Sequence, residues 1–293
     1  MSANTFDLQN IKILHLEPTT VCNAACPQCP RTFKKFTYAE LSLGKCKSLF
    51  SQQFIGQLTK MFMCGNYGDP AAARDTLQIF QYFKSVNPNI TLGMNTNGSI
   101  RSPKWWGELA SVLNGPRDWV TFSIDGLEDT NHIYRINTQW YRIMENAEAF
   151  ISAGGQAHWD MLVFEHNEHQ VEQALKLANK MKFNRFQVKV SRRHKSTPIP
   201  FLKPPKNYKD PVIESTDIKC RALAEQSIYV DAMGKWHPCC WQGFQQSDYD
   251  LSNRFNELIQ SWTNTPNRIC KNTCGVKDGN DSFGNQFQKT IIL

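Results

Sequence analysis

Three cysteines lie within eight residues near the start of the chain, at Cys22, Cys26 and Cys29. They follow an apolar run at residues 11–16, which is typical of a buried strand. Cubane iron–sulfur clusters are generally held by four cysteine thiolates, so a loop with three leaves one iron without a protein ligand. An open metal position is where a substrate can bind, as in catalytic zinc sites. The motif predicts a catalytic iron–sulfur centre; an incomplete zinc site or unrelated core thiols are the alternatives.

Length and composition limit the size of the fold, the number of domains and the location of the protein. The chain has 293 residues, of which 41% are hydrophobic and 20% charged, and it can bury a large core in one or two domains. Residues 1–7 carry no basic stretch followed by an apolar signal core, and no window approaches about eighteen consecutive apolar residues. We therefore expect a cytoplasmic protein that does not enter a membrane.

Cysteine count and charge narrow the class of partner. Ten cysteines without a signal peptide favour metal binding over disulfides, because the cytoplasm is reducing. The formal charge of +7 is compatible with a nucleic-acid partner, but the basic residues are dispersed and their only tight group lies at residues 191–195. We expect that group, with Arg192, Arg193 and Lys195, to be a solvated loop, and nucleic acid not to be a partner.

Short apolar or β-branched runs alternate with longer amphipathic segments up to about residue 190, a pattern typical of βα units and a parallel sheet. The predicted strands are 11–16, 61–64, 91–95, 119–124, 158–164 and 186–190. The predicted helices are 49–58, 72–85, 104–113, 141–153 and 168–181. Six units indicate an α/β fold with a partial (β/α)6 barrel. Because ligands bind at the carboxyl ends of parallel strands, the cysteine loop lies at the binding edge.

The alternation stops after residue 190, where a proline-rich stretch favours an extended connection. We therefore divide the chain into a core barrel at 1–197, a linker at 198–211 and a small cysteine-rich domain at 212–293. Within the last domain, residues 229–231 and 235–237 predict a β-hairpin around Gly234. Its cysteines are Cys220, Cys239, Cys240, Cys270 and Cys274, which could hold a second cluster or a closed zinc site.

Polar segments follow several predicted strands. The segment after the second strand is rich in glycine, which permits a close approach of the backbone, and asparagines and an Asp-Gly pair follow the third and fourth strands. The candidate binding residues are Gly65, Asn66, Gly68, Asp69, Asn95, Asn97, Ser123, Asp125 and Arg135. Ordinary turns, a helix start and a surface arginine are the alternatives. Cys46 and Cys64 have no partners in the sequence and predict inert buried thiols.

The cysteine motif and these segments resemble the radical S-adenosylmethionine (radical SAM) superfamily. The resemblance implies that the three N-terminal cysteines hold a 4Fe–4S cluster whose open iron chelates the amino and carboxylate groups of SAM. It implies that the segment ending at Asp69, a variant of the family's Gly-Gly-Glu segment, receives the SAM amino group. It further implies that Asn95 and Asn97 reach SAM or substrate, that Ser123 and Asp125 bind the ribose, and that Arg135 pairs with the SAM carboxylate.

The cysteine-rich segment resembles the auxiliary-cluster domains called SPASM and twitch, and the single-cluster twitch form suits its five cysteines. This resemblance implies a second 4Fe–4S cluster on Cys220, Cys239, Cys270 and Cys274, with Cys240 as a packing thiol. A structural zinc site is the alternative.

As a family member, the protein would accept an electron from a donor such as flavodoxin or ferredoxin and cleave SAM to a 5′-deoxyadenosyl radical. That radical takes hydrogen from a substrate C–H bond, and the auxiliary cluster accepts an electron, so that a small molecule or peptide side chain is oxidised. Because the first strand begins by about residue 11, with no leader-binding domain before it, we expect a small molecule or leaderless peptide. A nucleic-acid-modifying enzyme and a non-catalytic iron–sulfur or zinc protein are the alternatives; the segment at 65–70 argues against the second.

Overall fold

The computed structural model describes residues 8–191, 193–194, 196–206, 208, 218, 220–244, 270–271, 274 and 289–292. Arg192 and Lys195 of the predicted basic group lie outside the described residues, as do parts of the predicted linker and much of the predicted C-terminal domain. In the part of the chain that the structure describes, no helix has the length and apolarity to cross a membrane.

Six parallel strands form the middle of one sheet and pair in the order of the sequence. They are β1 (Ile13–Leu16), β2 (Lys60–Met63), β3 (Thr91–Thr96), β4 (Trp119–Ser123), β5 (Ala157–Val163) and β6 (Arg185–Val190). Each observed strand lies within two residues of its predicted bounds at either end. The predicted α/β fold with a mostly parallel sheet is therefore confirmed.

Burial alternates residue by residue along β5, the strand in which the two faces of the sheet are easiest to distinguish. Trp159 and Met161 are fully buried and pack in the main hydrophobic core, whereas His158 and Asp160 between them are half-buried on the other face of the sheet. One face of the sheet therefore packs against helices, and the other carries mostly polar side chains with a few aromatic rings among them. The polar face leads up to the carboxyl ends of the strands, where the functional residues lie.

Nine α-helices are seen among the described residues. They are α1 (Pro30–Phe33), α2 (Leu43–Leu49), α3 (Gln52–Gln57), α4 (Thr76–Val86), α5 (Pro103–Val112), α6 (Asn131–Tyr134), α7 (Trp140–Ser152), α8 (Val171–Lys180) and α9 (Arg221–Ala224). The single helix predicted at 49–58 was wrong. Two helices occupy this region because the hydroxyl of Ser51 accepts the backbone N–H of Phe54 and starts a new helix, while Phe50 ends α2.

Three further strands extend the sheet. β7 (Ser227–Val230) is parallel to β1, β8 (Trp236–His237) is antiparallel to β7, and β9 (Lys289–Ile292) is antiparallel to β6. The predicted hairpin around Gly234 is confirmed, with Tyr229 opposite His237. Asp231 closes its turn by accepting the backbone N–H of Lys235 at 2.9 Å and by bonding the His237 ring at 2.8 Å. The hairpin thus joins the core sheet directly through β1.

Candidate functional site

A cavity of about 180 Å³ lies at the carboxyl ends of the parallel strands. The thiol-bearing residues Cys22, Cys26 and Cys29 line it. So do eight of the nine predicted binding residues, namely Gly65, Asn66, Gly68, Asp69, Asn95, Asn97, Ser123 and Arg135. Segments that are far apart in the sequence meet here because parallel strands end at the same edge of the sheet.

The cysteine loop is held from two sides. The backbone N–H of Ala25 donates to the carbonyl of Ile136 at 2.9 Å, which fixes the loop to the segment after α6. The fully buried Gln28 accepts a hydrogen bond from the hydroxyl of Ser191 at 2.5 Å, which fixes it to the end of β6. The three cysteines are therefore preorganised by the barrel.

The donor set suits an iron–sulfur cluster. Soft thiolate ligands select clusters of this kind, and burial raises the pKa of Cys22 to about 12, so its thiol stays protonated until a metal replaces the proton. A single zinc ion needs all its sulfur ligands within about 2.3 Å of one point. A cubane cluster instead spreads its thiolates over separate irons.

The glycine-rich segment folds around a carboxylate that sequence reasoning missed, that of Glu17. This side chain is fully buried, and it accepts the backbone N–H groups of Asn66 and Tyr67 at 2.9 Å and of Gly68 at 3.0 Å. It also accepts the thiol of Cys64 at 2.9 Å, so this cysteine is buried as predicted but participates in the site. An acidic residue ending an apolar run was the available signal, because Glu is almost never fully buried unless paired.

Asp69 ties the same segment to β3. Its carboxylate accepts the backbone N–H of Asn97 at 2.7 Å, the hydroxyl of Thr96 at 2.9 Å and the backbone N–H of Ala71 at 3.0 Å. Only 3% of the residue is exposed. The expected contact between Asp69 and the SAM amino group would therefore compete with three hydrogen bonds.

Asn97 connects β3 with the cysteine loop. Its side-chain amide donates to Asn23 at 2.8 Å and lies 3.6 Å from the sulfur of Cys22. Its carbonyl oxygen accepts the backbone N–H of Ser99 at 2.9 Å. Asn97 thus positions the first cysteine, whereas Asn95, also a lining residue, is half-buried.

Asp125 is the one predicted binding residue that does not line the cavity, and its contact with the ribose stays a prediction. It is fully buried and accepts Nε of Arg135 at 2.6 Å and the backbone N–H of Leu162 at 2.7 Å. Both oxygens of Asp125 therefore already accept a hydrogen bond, and a ligand would share them with Arg135 and Leu162. Arg135 itself lines the cavity, with Nη1 at 3.8 Å from the sulfur of Cys26.

Breaking this buried ion pair is expected to be costly. Arg135→Gln leaves a fully buried carboxylate without its cation, so we expect the free energy of unfolding to fall by about 3–5 kcal/mol. Urea unfolding followed by circular dichroism measures it. The double variant Asp125→Asn/Arg135→Gln should lose less than the sum of the two single variants, whereas additive losses would show that the pair is not coupled.

Two arginines add positive charge to the cavity. Arg31 donates to the carbonyl of Ala24 at 2.5 Å and Arg193 to that of Gln28 at 3.3 Å. Among the described residues neither forms an ion pair. Arg193 belongs to the predicted solvated loop, and its position in the cavity wall corrects that expectation. Guanidinium groups without a carboxylate partner suit a site that receives anionic ligands.

The C-terminal cysteines form two groups. Cys220, Cys239 and Cys270 pack against the main hydrophobic core. Burial, with repulsion from Cys274 and Cys270, raises the pKa of Cys220 to about 11, so these thiols lie within electrostatic reach of one another. Cys240 instead belongs to a separate buried cluster, described below. Cys240 thus packs in a different buried cluster from Cys220, Cys239 and Cys270, although it also contributes to the raised pKa of its neighbour Cys239.

That separate cluster lies between the hairpin and the cavity. It consists of Cys64, Tyr67, Tyr229 and Cys240, with Phe36, Phe62 and Trp241 packed against it. Two of its members, Cys64 and Tyr67, also line the cavity. The hairpin therefore contributes directly to the support of the cavity wall.

A family model described as the radical SAM superfamily matches residues 16–178, more than half of the chain. No curated protein matches the sequence. The structure of SuiB from Streptococcus suis bound to S-adenosylmethionine is similar, with a TM-score of 0.62 and 14% identity over 87% of this chain and 66% of that chain. The structure of anSMEcpe with bound AdoMet has a TM-score of 0.60 and 15% identity, over 90% of this chain and 83% of that chain. The chain thus spans slightly less than two thirds of SuiB, and these structural similarities concern the fold.

Proposed function

Because the chain belongs to the radical SAM superfamily of enzymes, which implies a 4Fe–4S cluster and SAM, we propose that it cleaves SAM reductively and oxidises a substrate at a C–H bond. The observation that carries the proposal is the single cavity lined by the three motif cysteines and eight predicted SAM-binding residues. A protein that only carried electrons would not need this set of polar groups beside the cysteines.

Different residues of the cavity would hold the 4Fe–4S cluster and SAM. Cys22, Cys26 and Cys29 would hold the cluster and leave one iron open for SAM. Cluster and SAM together supply, when bound, a radical strong enough to take hydrogen from an unactivated C–H bond. Nε of Arg135 donates to Asp125 and Nη1 lies near the sulfur of Cys26, so Nη2 would be the nitrogen that pairs with the SAM carboxylate. Leu162 offers an apolar surface to the adenine, and the buried walls exclude water.

The net oxidation requires an electron acceptor, which we assign to a second 4Fe–4S cluster on Cys220, Cys239, Cys270 and Cys274. These four cysteines would hold the cluster, and the cluster would supply a one-electron acceptor for the oxidation of the substrate. The packing of Cys220, Cys239 and Cys270 against one core, with Cys274 close enough to raise the pKa of Cys220, supports the assignment. We retain the division into a core at 1–197, a linker at 198–211 and an auxiliary domain at 212–293 as part of the proposal.

A peptide or a small molecule would be the substrate, and a flavodoxin or ferredoxin of the cytoplasm the electron donor. SuiB has been crystallised with its precursor peptide SuiA, and anSMEcpe with the Cp18Cys peptide. These complexes support testing peptide side chains first.

The test is release of 5′-deoxyadenosine and methionine by anaerobically reconstituted protein given SAM and a strong reductant. We expect release above a protein-free control. Protein loaded with iron and sulfide that neither releases these products nor binds SAM in a titration would overturn the proposal.

Two adjacent cysteines provide a matched test of the auxiliary site. We expect about eight irons and eight sulfides per chain, since each cubane holds about four of each. Cys239→Ala should lose about four irons, whereas Cys240→Ala should keep all of them, because the second thiol packs beside Tyr229. Iron and zinc analysis measures this; one zinc ion in place of the second four irons would indicate a structural zinc site instead.

A further inference from the structure

Glu17 has no part in the proposed function, yet more hydrogen bonds converge on it than on any other carboxylate of the cavity region described here. Besides the three backbone N–H groups and the Cys64 thiol, the hydroxyl of Tyr229 approaches its Oε2 at 3.4 Å. Glu17 is fully buried, and its donors are Cys64 directly after β2, the glycine-rich segment that follows, and Tyr229 in β7. A carboxylate held this way fixes the orientation of whatever donates to it.

The three N–H groups belong to successive peptide units. In a trans peptide the C=O points opposite to the N–H, and these peptide bonds are trans. The carbonyl oxygens of Gly65, Asn66 and Tyr67 therefore point away from Glu17. These residues line the cavity, whereas Glu17 is buried behind them, so their carbonyl oxygens face the cavity side.

The other candidate acceptor for the amino group, the carboxylate of Asp69, is already occupied by hydrogen bonds. The carboxylate of Asp69 already accepts Ala71, Thr96 and Asn97. An amino group bound to the open iron keeps two N–H donors and has no acceptor left, so the successive carbonyl oxygens can accept both of its hydrogen bonds. The backbone is therefore the better partner for an amino group here.

We propose that Glu17 is the positioning residue for the amino group of SAM, since its carboxylate holds three successive peptide units with their carbonyl oxygens toward the cavity. The role deepens the proposed function and rests on it. Glu17 does not touch SAM; it acts through the segment that does.

The proposed role of Glu17 predicts that SAM binding depends on pH, because the carboxylate of Glu17 changes its charge near neutral pH. Burial raises its pKa to about 7, although its hydrogen bonds oppose the shift. Above that pH the ionised carboxylate accepts from all its donors; below it one oxygen carries a proton and holds the segment less well. Nearby, burial raises the pKa of Cys64, Tyr67 and Tyr229 and lowers that of His15 to about 3, so these four groups stay neutral near pH 7. Cys240 completes the cluster around them.

Glu17→Gln tests the proposal in protein loaded with its cluster and kept oxidised, so that SAM is bound but not consumed. At pH 8 we expect the Kd for SAM to rise about tenfold or more, since the amide has one acceptor where the carboxylate had two. The ratio of the variant's Kd to that of the wild type should fall toward one at pH 6, where the wild-type carboxylate is also neutral. This ratio cancels the titration of SAM itself.

Two comparisons separate positioning from a loss of structure. A SAM analogue that lacks the amino group should bind the wild type and Glu17→Gln equally, whereas a damaged cavity would weaken both ligands. Glu108→Gln on α5 serves as the control and should bind SAM like the wild type.

A second variant covers the case in which Glu17→Gln does not fold. Cys64→Ala removes a hydrogen bond that lowers the pKa of Glu17, so its SAM affinity should begin to fall at a higher pH than that of the wild type. An unchanged pH profile would then overturn the role.

The outcomes also distinguish this role from the proposed function. If loaded wild-type protein binds no SAM, the proposed function fails. If it binds SAM and folded Glu17→Gln binds equally at pH 8, only the positioning role is overturned.

Discussion

Protein carrying Cys26→Ala is expected to release no measurable 5′-deoxyadenosine from SAM, a loss of at least about a thousandfold, or roughly 4 kcal/mol in activation free energy. Cys26 is the middle thiol of the motif; it is only 8% exposed and lies beside Arg135. Two remaining thiolates cannot hold a cubane with a single open iron. Product release under strong reductant, with iron and sulfide analysis, measures the effect.

Cys46→Ala is the matched control for this change. Cys46 lies in α2, is fully buried and does not line the cavity. We expect this variant to keep its iron and its SAM cleavage and to lose only about 1 kcal/mol of stability from the small space left behind. Full iron content and cleavage in Cys26→Ala would contradict the assignment of the first cluster.

Gly68→Ala is expected to weaken SAM binding at least about tenfold and to lower the free energy of unfolding by about 1–3 kcal/mol. A Cβ atom at this position would lie 2.1 Å from the carbonyl oxygen of Thr19 and 2.8 Å from that of Val21. Both are backbone atoms and cannot rotate away. The backbone N–H of Asp69 also donates to Val21 at 2.8 Å, so relieving the clash separates the glycine-rich segment from the cysteine loop.

Gly107→Ala is the matched control for Gly68→Ala, because it adds a methyl group where there is space for one. Gly107 lies inside α5, and a Cβ there meets no atom within 4 Å. Alanine is the better helix former, so this variant should gain up to about 1 kcal/mol and bind SAM normally. Equilibrium dialysis with SAM and thermal unfolding measure both variants. Normal SAM binding by Gly68→Ala would mean that the two segments need not touch.

The sequence predicted what depends on local patterns. Apolar runs of four to seven residues between amphipathic segments gave all six central strands, and the β7–β8 hairpin followed from a short turn centred on Gly234. The clustered cysteines and the glycine-rich segment predicted the cavity because strand ends must meet at one edge. The neighbouring helices α2 and α3 were missed because serine caps interrupt an otherwise continuous pattern.

The remaining features depend on partners that are distant in the sequence. Nothing local reveals that Asp125 turns behind Arg135 toward Leu162, or that Arg193 enters the cavity wall. The role of Glu17 was not predicted, because its backbone donors lie about fifty residues away in the sequence. They belong to the glycine-rich segment, for which the sequence predicted contacts with the ligand alone. The pairing of β7 with β1 could not be predicted either, because the sequence of a short apolar strand does not indicate which strand of a sheet it will pair with.

Because β1 pairs with β7, the order in which the strands are synthesised differs from the order in which the sheet is completed. Leu14 in β1 pairs with Met61 on one side and with Ile228 on the other. A ribosome adding about 5–20 residues per second delivers the second neighbour roughly ten to forty seconds after the first strand. Throughout that interval one edge of β1 offers unpaired backbone groups to any other strand, which is how nascent chains aggregate. The strand that leads into the cysteine loop is the first of the six central strands to be made, yet only β6, which pairs with β9, gains its second neighbour later.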